Sequence, residues 1–153
     1  MTASAASLRS YVTVEIGDQT FGVEIGRVRE VFAPERLTRV PLSPPEVAGV
    51  LNLRGRIVTA IDMRSQLGLA AAPAGSPSGM ALGVEHRGEA FALIVDRPGD
   101  VVELDLAGRE ATPATLHPRW AALVEGVHRL DDRLLLILDV DRALGFGARP
   151  IAA

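Results

Sequence analysis

The chain has 153 residues, room for one conventional domain or two very small ones, and 48% of them are hydrophobic against 23% charged, so a core can be buried. It has no Cys, which excludes a disulfide framework, a thiolate metal site and a Cys nucleophile together. Its 16 basic residues are all Arg, which excludes catalytic Lys chemistry, and against 19 acids they leave a net charge of −3, a poor start for binding a phosphate backbone. Aromatic residues, at 4%, are too few for a base-stacking platform. The longest aliphatic run, Leu134 to Leu138, is far short of the roughly 20 residues of a spanning helix, and Met1 to Ser10 has no apolar secretory region, so a cytoplasmic protein is expected.

Taken in chain order, the periodicity predicts mostly strands. Tyr11 to Ile16 alternates, Gly17-Asp18 is a strong turn pair, and Phe21 to Ile25 alternates again, so the two runs read as a hairpin. Ile25, Val28 and Val31/Phe32 fall at three-residue steps, which predicts about one helical turn carrying Val28 and Glu30. Leu37 to Leu42 reads as a short edge strand ended by Pro44-Pro45. Val47 to Leu53 and Ile57 to Ile61 flank Arg54-Gly55-Arg56 as a second hairpin. Asp62 then reads as the N-cap of a short helix over Met63 to Leu67, with Gly68 at its end.

Residues 70–79, rich in Ala, Pro, Gly and Ser, form the one clear linker, and after it the pattern repeats. A shift of 70 lays Val14, Glu15, Phe21 and Val31 on Val84, Glu85, Phe91 and Val101. A shift of 77 gives 8 identities in the 23 positions from Val47 to Leu69, among them Gly49 on Gly126 and Asp62 on Asp139, where chance gives one or two. The extra residues fall in a longer loop over Gly108 to Pro118. The chain therefore reads as a tandem of two β-rich units: a first barrel over about 11–69, a linker over 70–79 and a second barrel over about 80–146, with flexible termini at 1–10 and 147–153. Units this small are marginal alone, which predicts that they pack together with a groove at the junction, each curled to remove exposed edges.

Val47 to Leu69, running Gly-Val-Leu-Asn-Leu-Arg-Gly-Arg-Ile-Val-Thr-Ala-Ile-Asp-Met-Arg-Ser-Gln-Leu-Gly from Gly49 to Gly68, closely resembles the signature of the CheW family of chemotaxis coupling proteins. Phe21 to Val31, Leu93 to Asp96 and Gly126 to Leu144 resemble the family as well, and the likeness spans about residues 11–146 in the family's order. The resemblance implies a mainly all-β fold of two intertwined SH3-like five-stranded β-barrels around a hydrophobic junction, with short helices. It implies a non-catalytic, cofactor-free adaptor that bridges the cytoplasmic tips of methyl-accepting chemoreceptors to the regulatory domain of a CheA-type histidine kinase. Such a protein is recruited to membrane-bound receptor arrays within a two-component system. Couplers of this kind also serve pilus-motility and other chemosensory arrays, and the absence of a kinase or receiver segment favours a stand-alone coupler here. Thr59 stands where the family usually has Pro, and Pro98 where it usually has an aliphatic residue, so the turn after Asp96 is expected to be rebuilt.

The repeat separates fold from function. Asp62/Asp139 and Gly49/Gly126 occur in both copies and read as parts of the barrels; Arg56, paired with Arg133, reads as a shared strand-face residue. Asn52, Arg54 and Gly55 fall on Arg129, Asp131 and Asp132, so that hairpin folds without their chemistry. The resemblance places Val28, Glu30, Asn52, Arg54, Gly55 and Val101 at the receptor-binding surface, the two valines gripping an apolar stripe and Arg54 and Glu30 setting register. Kinase contact is expected from the second barrel, with no residue assigned; Leu134 to Leu138, aliphatic throughout, reads first as a central strand covered on both faces.

Two other functional classes fit the residues less well. Asp139 and Asp141, with Asp131 and Asp132, have carboxylates for a divalent-metal-dependent enzyme, but cap and turn roles account for all four. No metal, nucleophile-elbow, Walker or dinucleotide motif accompanies them. Nucleic-acid binding is disfavoured by the net negative charge, the absence of Lys and the scarcity of aromatics.

Overall fold

Among the described residues, ten strands sort into two five-stranded sheets, and neither sheet belongs to one half of the sequence. The computed structural model describes residues 7–71 and 79–145. The first half contributes β1 (Leu8–Ile16), β2 (Gln19–Glu24), β3 (Val28–Phe32), β4 (Val47–Leu53), β5 (Arg56–Asp62) and α1 (Met63–Gln66). The second half contributes β6 (Met80–His86), β7 (Glu89–Val95), β8 (Arg97–Asp105), α2 (Pro118–Ala121), β9 (Val124–Arg129), β10 (Leu134–Leu138) and α3 (Val140–Ala143). The sheet orders are β8-β1-β2-β10-β9 and β3-β6-β7-β5-β4.

Replacing each strand by its copy in the other half turns one order into the other. The first-half hairpin β1-β2 takes its third, fourth and fifth strands from the second half, and β6-β7 takes its own from the first. This corrects the expected division into a barrel over 11–69 and another over 80–146: the halves have exchanged hairpins. The expected linker lies largely at 72–78, and the expected flexible termini largely at 1–6 and 146–153, outside the described residues.

Period-two alternation sends each strand's side chains to two different cores. Tyr11, Leu135 and Ile137 fill the interior of the β1-containing barrel, and Leu51, Val58, Ala60, Ala81 and Ala92 that of the other. The opposite faces (Val12, Val14, Phe21, Leu82, Leu93, Leu136 and Leu138 among them) meet in the largest cluster, the seam between the barrels. The cross-strand pairs Tyr11–Val102 and Ala81–Phe32 occupy equivalent places with the large and small partners interchanged, so both interiors are filled by different means.

The short helices are capped as expected. Asp62 accepts from the Arg64 N–H at 3.0 Å and Asp139 from the Arg142 N–H at 3.1 Å. Gln66 of α1 donates to the Ala143 carbonyl of α3, its own repeat equivalent, so the pseudo-twofold axis passes between these helices. α2 breaks the symmetry: Arg119 Nε and Nη2 donate to the Gln66 and Ser65 carbonyls, both at 2.7 Å, and Trp120 Nε1 to that of Leu67 at 2.8 Å. These bonds satisfy the open carbonyls at the end of α1.

The shared glycines have a common cause. A Cβ at Gly49 would lie 2.5 Å from the Thr38 carbonyl oxygen, and one at Gly126 would lie 2.8 Å from Arg109 Cδ and 3.2 Å from the Glu110 carbonyl oxygen. At both places a chain segment crosses the strand in a single bridge, Thr38 with Val50 and Glu110 with Val127.

Three local expectations change. The helical turn shrinks to a 3-10 turn over Ile25–Arg27, and Val28–Phe32 is a strand whose alternate residues Val28, Glu30 and Phe32 turn inward. Residues 37–42 form no strand beyond the one bridge at Thr38, and Leu42 is fully exposed. Pro98 lies within β8 rather than in a rebuilt turn; the edge position and a bulge opposite Thr13 accommodate its missing donor.

Candidate functional site

The β4-β5 turn carries the residues that the sequence singled out. Leu53 pairs with Arg56, leaving Arg54-Gly55 as a two-residue loop, with φ +52° and +85°. Positive φ at both positions defines a type I′ turn, whose twist matches that of the flanking strands. Asn52 Oδ1 accepts from the Gly55 N–H at 2.8 Å and fixes the turn from within. Nothing lies within 4 Å of a Cβ built on Gly55, so the tip projects into open space.

Glu30 comes to this tip from the far edge of the sheet. β3 and β4 are opposite edges of β3-β6-β7-β5-β4, yet the Arg54 guanidinium, 73% exposed, pairs with the Glu30 carboxylate. The pair bridges a cleft of about 250 Å³ at the mouth of this barrel. Leu53, Val58, Ala90 and Phe91 give it apolar walls, and Arg29, Arg56 and Glu85 a charged rim. Glu85 holds both arginines, at 3.4 Å from Arg29 and 3.3 Å from Arg56. Gly83, opposite Glu30 in register, makes room: a Cβ there would stand 3.2 Å from Glu30 Cγ.

Thus Glu30, Asn52, Arg54 and Gly55 are gathered at one end of one sheet. Val28 lies on the same strand as Glu30 but packs, half-buried, against the seam. Val101 stands 53% exposed on β8, an edge of the other sheet opposite Val12, and does not line the cleft. Arg29, Glu85 and Phe91 escaped the sequence reading, although Glu85 and Phe91 were visible as repeat copies of Glu15 and Phe21. Leu134 to Leu138 is an inner strand of its sheet, with Leu135 and Ile137 facing one core and Leu136 and Leu138 the other.

Asp139 and Asp141, the acidic residues with the spacing of a divalent site, have other partners. Asp139 caps α3 and pairs with Arg142 at 3.4 Å. Asp141 meets Arg27 and His86, each at 2.9 Å, and these hydrogen bonds hold its carboxyl below the usual range. Among the described residues no group of three His, Asp or Glu side chains is arranged to hold a metal ion.

The fold and site together are an exchanged pair of small barrels that share one seam and present a charged turn over an apolar cleft, the class of protein that comparison with solved structures identifies as a scaffold. A family model for the CheW-like domain matches residues 10–146, and the chain belongs to the CheW family, which is non-catalytic. It is 31% identical to the chemotaxis protein CheW of Helicobacter pylori over 84% of this chain and 77% of that one. It is 24% identical to CheW of Bacillus subtilis over 94% of this chain and 92% of the other. The crystal structure of the scaffolding protein TtCheW from Thermoanaerobacter tengcongensis matches with a TM-score of 0.79 and 28% identity, covering 88% of this chain and 86% of that one. Two intertwined SH3-like five-stranded barrels are thus the fold, and chemotaxis scaffolding is the function class. No helix among the described residues is long and apolar enough to cross a membrane.

Proposed function

We propose that this chain couples methyl-accepting chemoreceptors to a CheA-type histidine kinase in the cytoplasm, docking on the receptor tip through the Asn52-Leu53-Arg54-Gly55 turn. The observation that carries the reading is the Arg54–Glu30 pair, which sets an exposed guanidinium and a carboxylate side by side over a cleft with apolar walls. A planar guanidinium can lie on a carboxylate or a free carbonyl of a partner helix, and the apolar walls accept a side chain from the same helix. Val28 supports β3 from the seam, and Val101 presents apolar surface on the neighbouring barrel. The kinase's regulatory domain, of the same fold, packs end to end against a surface drawn from residues 80–146, which contribute strands to both barrels. Receptor occupancy then reaches the kinase through the shared seam without any bond being made or broken, and recruitment to receptor arrays follows from the receptor contact.

Reconstitution tests the reading. Receptor-containing membranes and a CheA-type kinase should give receptor-controlled autophosphorylation only when this chain is added. Arg54→Asp should weaken receptor capture by about 2 kcal/mol or more, roughly thirtyfold, with the circular dichroism spectrum unchanged. Val28→Glu should act in the same direction, its fold checked in the same way. Undiminished capture by folded Arg54→Asp would end the proposal.

A further inference from the structure

The mouth of the same barrel carries a second turn built like the first. His86 pairs with Glu89, which leaves Arg87-Gly88 as the loop between β6 and β7, with φ +52° and +79°. Arg54-Gly55 and Arg87-Gly88 are therefore both type I′ turns with Arg at the first central position. That position favours Asn, Asp or Gly; Arg has no short polar group to bond its own backbone there and holds the left-handed conformation at a cost in strain. Backbone strain repeated at two exposed tips points to a use for the side chains.

The two tips lie at the same end of the sheet, because β5 and β7 run parallel with Thr59 opposite Phe91. In the order β6-β7-β5-β4 the turns are two strand spacings apart, about 10 Å. No atom lies within 4 Å of a Cβ built on Gly55 or Gly88. Arg87 has no side-chain hydrogen bond or ion pair among the described residues, so its charge is free for a partner.

The exchanged sheet supplies the control. The corresponding turns there are Gly17-Asp18 and Asp131-Asp132, acidic where these are basic. The fold is served by either sign, so the arginines answer to something outside it.

We propose that Arg87 is a second receptor contact beside Arg54, and that the two tips read a partner helix bearing carboxylates at positions i and i+7. Two helical turns advance about 10.5 Å on one face, which matches the spacing of the tips. This deepens the receptor-docking reading above and rests on it.

The test is calorimetric titration of the full chain with the cytoplasmic helical hairpin of a methyl-accepting receptor, at low and at moderate salt. Arg87→Asn suits the turn better than Arg, so this variant should melt higher than the unaltered chain, yet its Kd should rise roughly tenfold with a shallower salt dependence. Arg54→Asn should weaken binding at least as much. Unaltered affinity in Arg87→Asn together with a loss in Arg54→Asn overturns this proposal and leaves the docking reading standing. Unaltered affinity in both variants, or no binding by the unaltered chain, overturns both.

Discussion

Arg64 grips Asp96 with two hydrogen bonds, 2.8 Å from Nε and 2.7 Å from Nη2, and the same carboxylate accepts the Gly17 N–H at 2.8 Å. The contact joins α1 of the first half to the β7-β8 connection of the second. At the equivalent place across the pseudo-twofold axis, Asp141 of α3 meets Arg27 of the β2-β3 connection. The polarity is reversed. Both cations come from the first half and both anions from the second, so each pair stabilises the exchanged arrangement.

Removing the Arg64 side chain should therefore loosen the seam. Arg64 holds the Asp96 carboxyl below the ordinary carboxylate range, so this contribution is present above the unfolded-state pKa, about 4, and is lost as pH falls through the folded value. Arg64→Ala should cost about 2 kcal/mol in urea unfolding at pH 7, and less below pH 4. A cost independent of pH down to about 3 would contradict this.

His128 should make the β1-containing barrel sensitive to mild acid. It is 3% exposed, its Nε2 has no partner, and burial, with the nearby Arg109 charge, lowers its pKa. A depressed histidine leaves the fold fully stable above the unfolded pKa, about 6.5, and weakens it as pH drops below that value. The repeat places Leu51 at the equivalent position, so His128→Leu should fold, gain about 1 kcal/mol at pH 6 and flatten the stability profile below about pH 6.5. An unchanged profile would count against the assignment.

The two crossing glycines should differ in cost. Gly49 has φ +154° and its Cβ would meet backbone, whereas the nearest atoms at Gly126 are Cγ and Cδ of the Arg109 side chain, which yields by straining its contacts with Tyr11 and Glu125 rather than by moving a strand. Gly49→Ala should lose about 3 kcal/mol and Gly126→Ala about 1, by chemical denaturation. Equal costs would mean that the Thr38 crossing yields as readily as an arginine.

Exchange also predicts that the barrels do not melt separately. Trp120, the single Trp, lies 5.6 Å from the Phe21 ring and bonds α1, so its fluorescence reports on the seam. Fluorescence and far-ultraviolet dichroism should trace one coincident transition. Two resolved transitions would show that each sheet is stable without the other.

Much of this was legible in the residues themselves. Alternation marked the strands of both hairpins, Asp62 and Asp139 marked the caps, and the repeat marked the equivalences. The stretch Val28 to Phe32 misled because its apolar residues fit both a three-residue and a two-residue step, and only pairing with β6 settled which applied. Glu30 and Arg54 were visible as candidates, but their contact was not, since it depends on the sheet curling until opposite edges meet.

By itself, then, the sequence determined which residues form strands, which face each side chain takes and where the chain turns, because these follow from local period and turn chemistry. Which hairpin each third strand would join was decided by the tertiary structure. A strand's hydrogen-bonding edge accepts any partner of suitable register, so local pattern is silent on the choice. Pairing within each half would set Tyr11 against Phe32 and Ala81 against Val102, overfilling one barrel and hollowing the other, and would place Arg27 by Arg64 and Asp96 by Asp141. Exchange matches large with small and cation with anion at every one of these places.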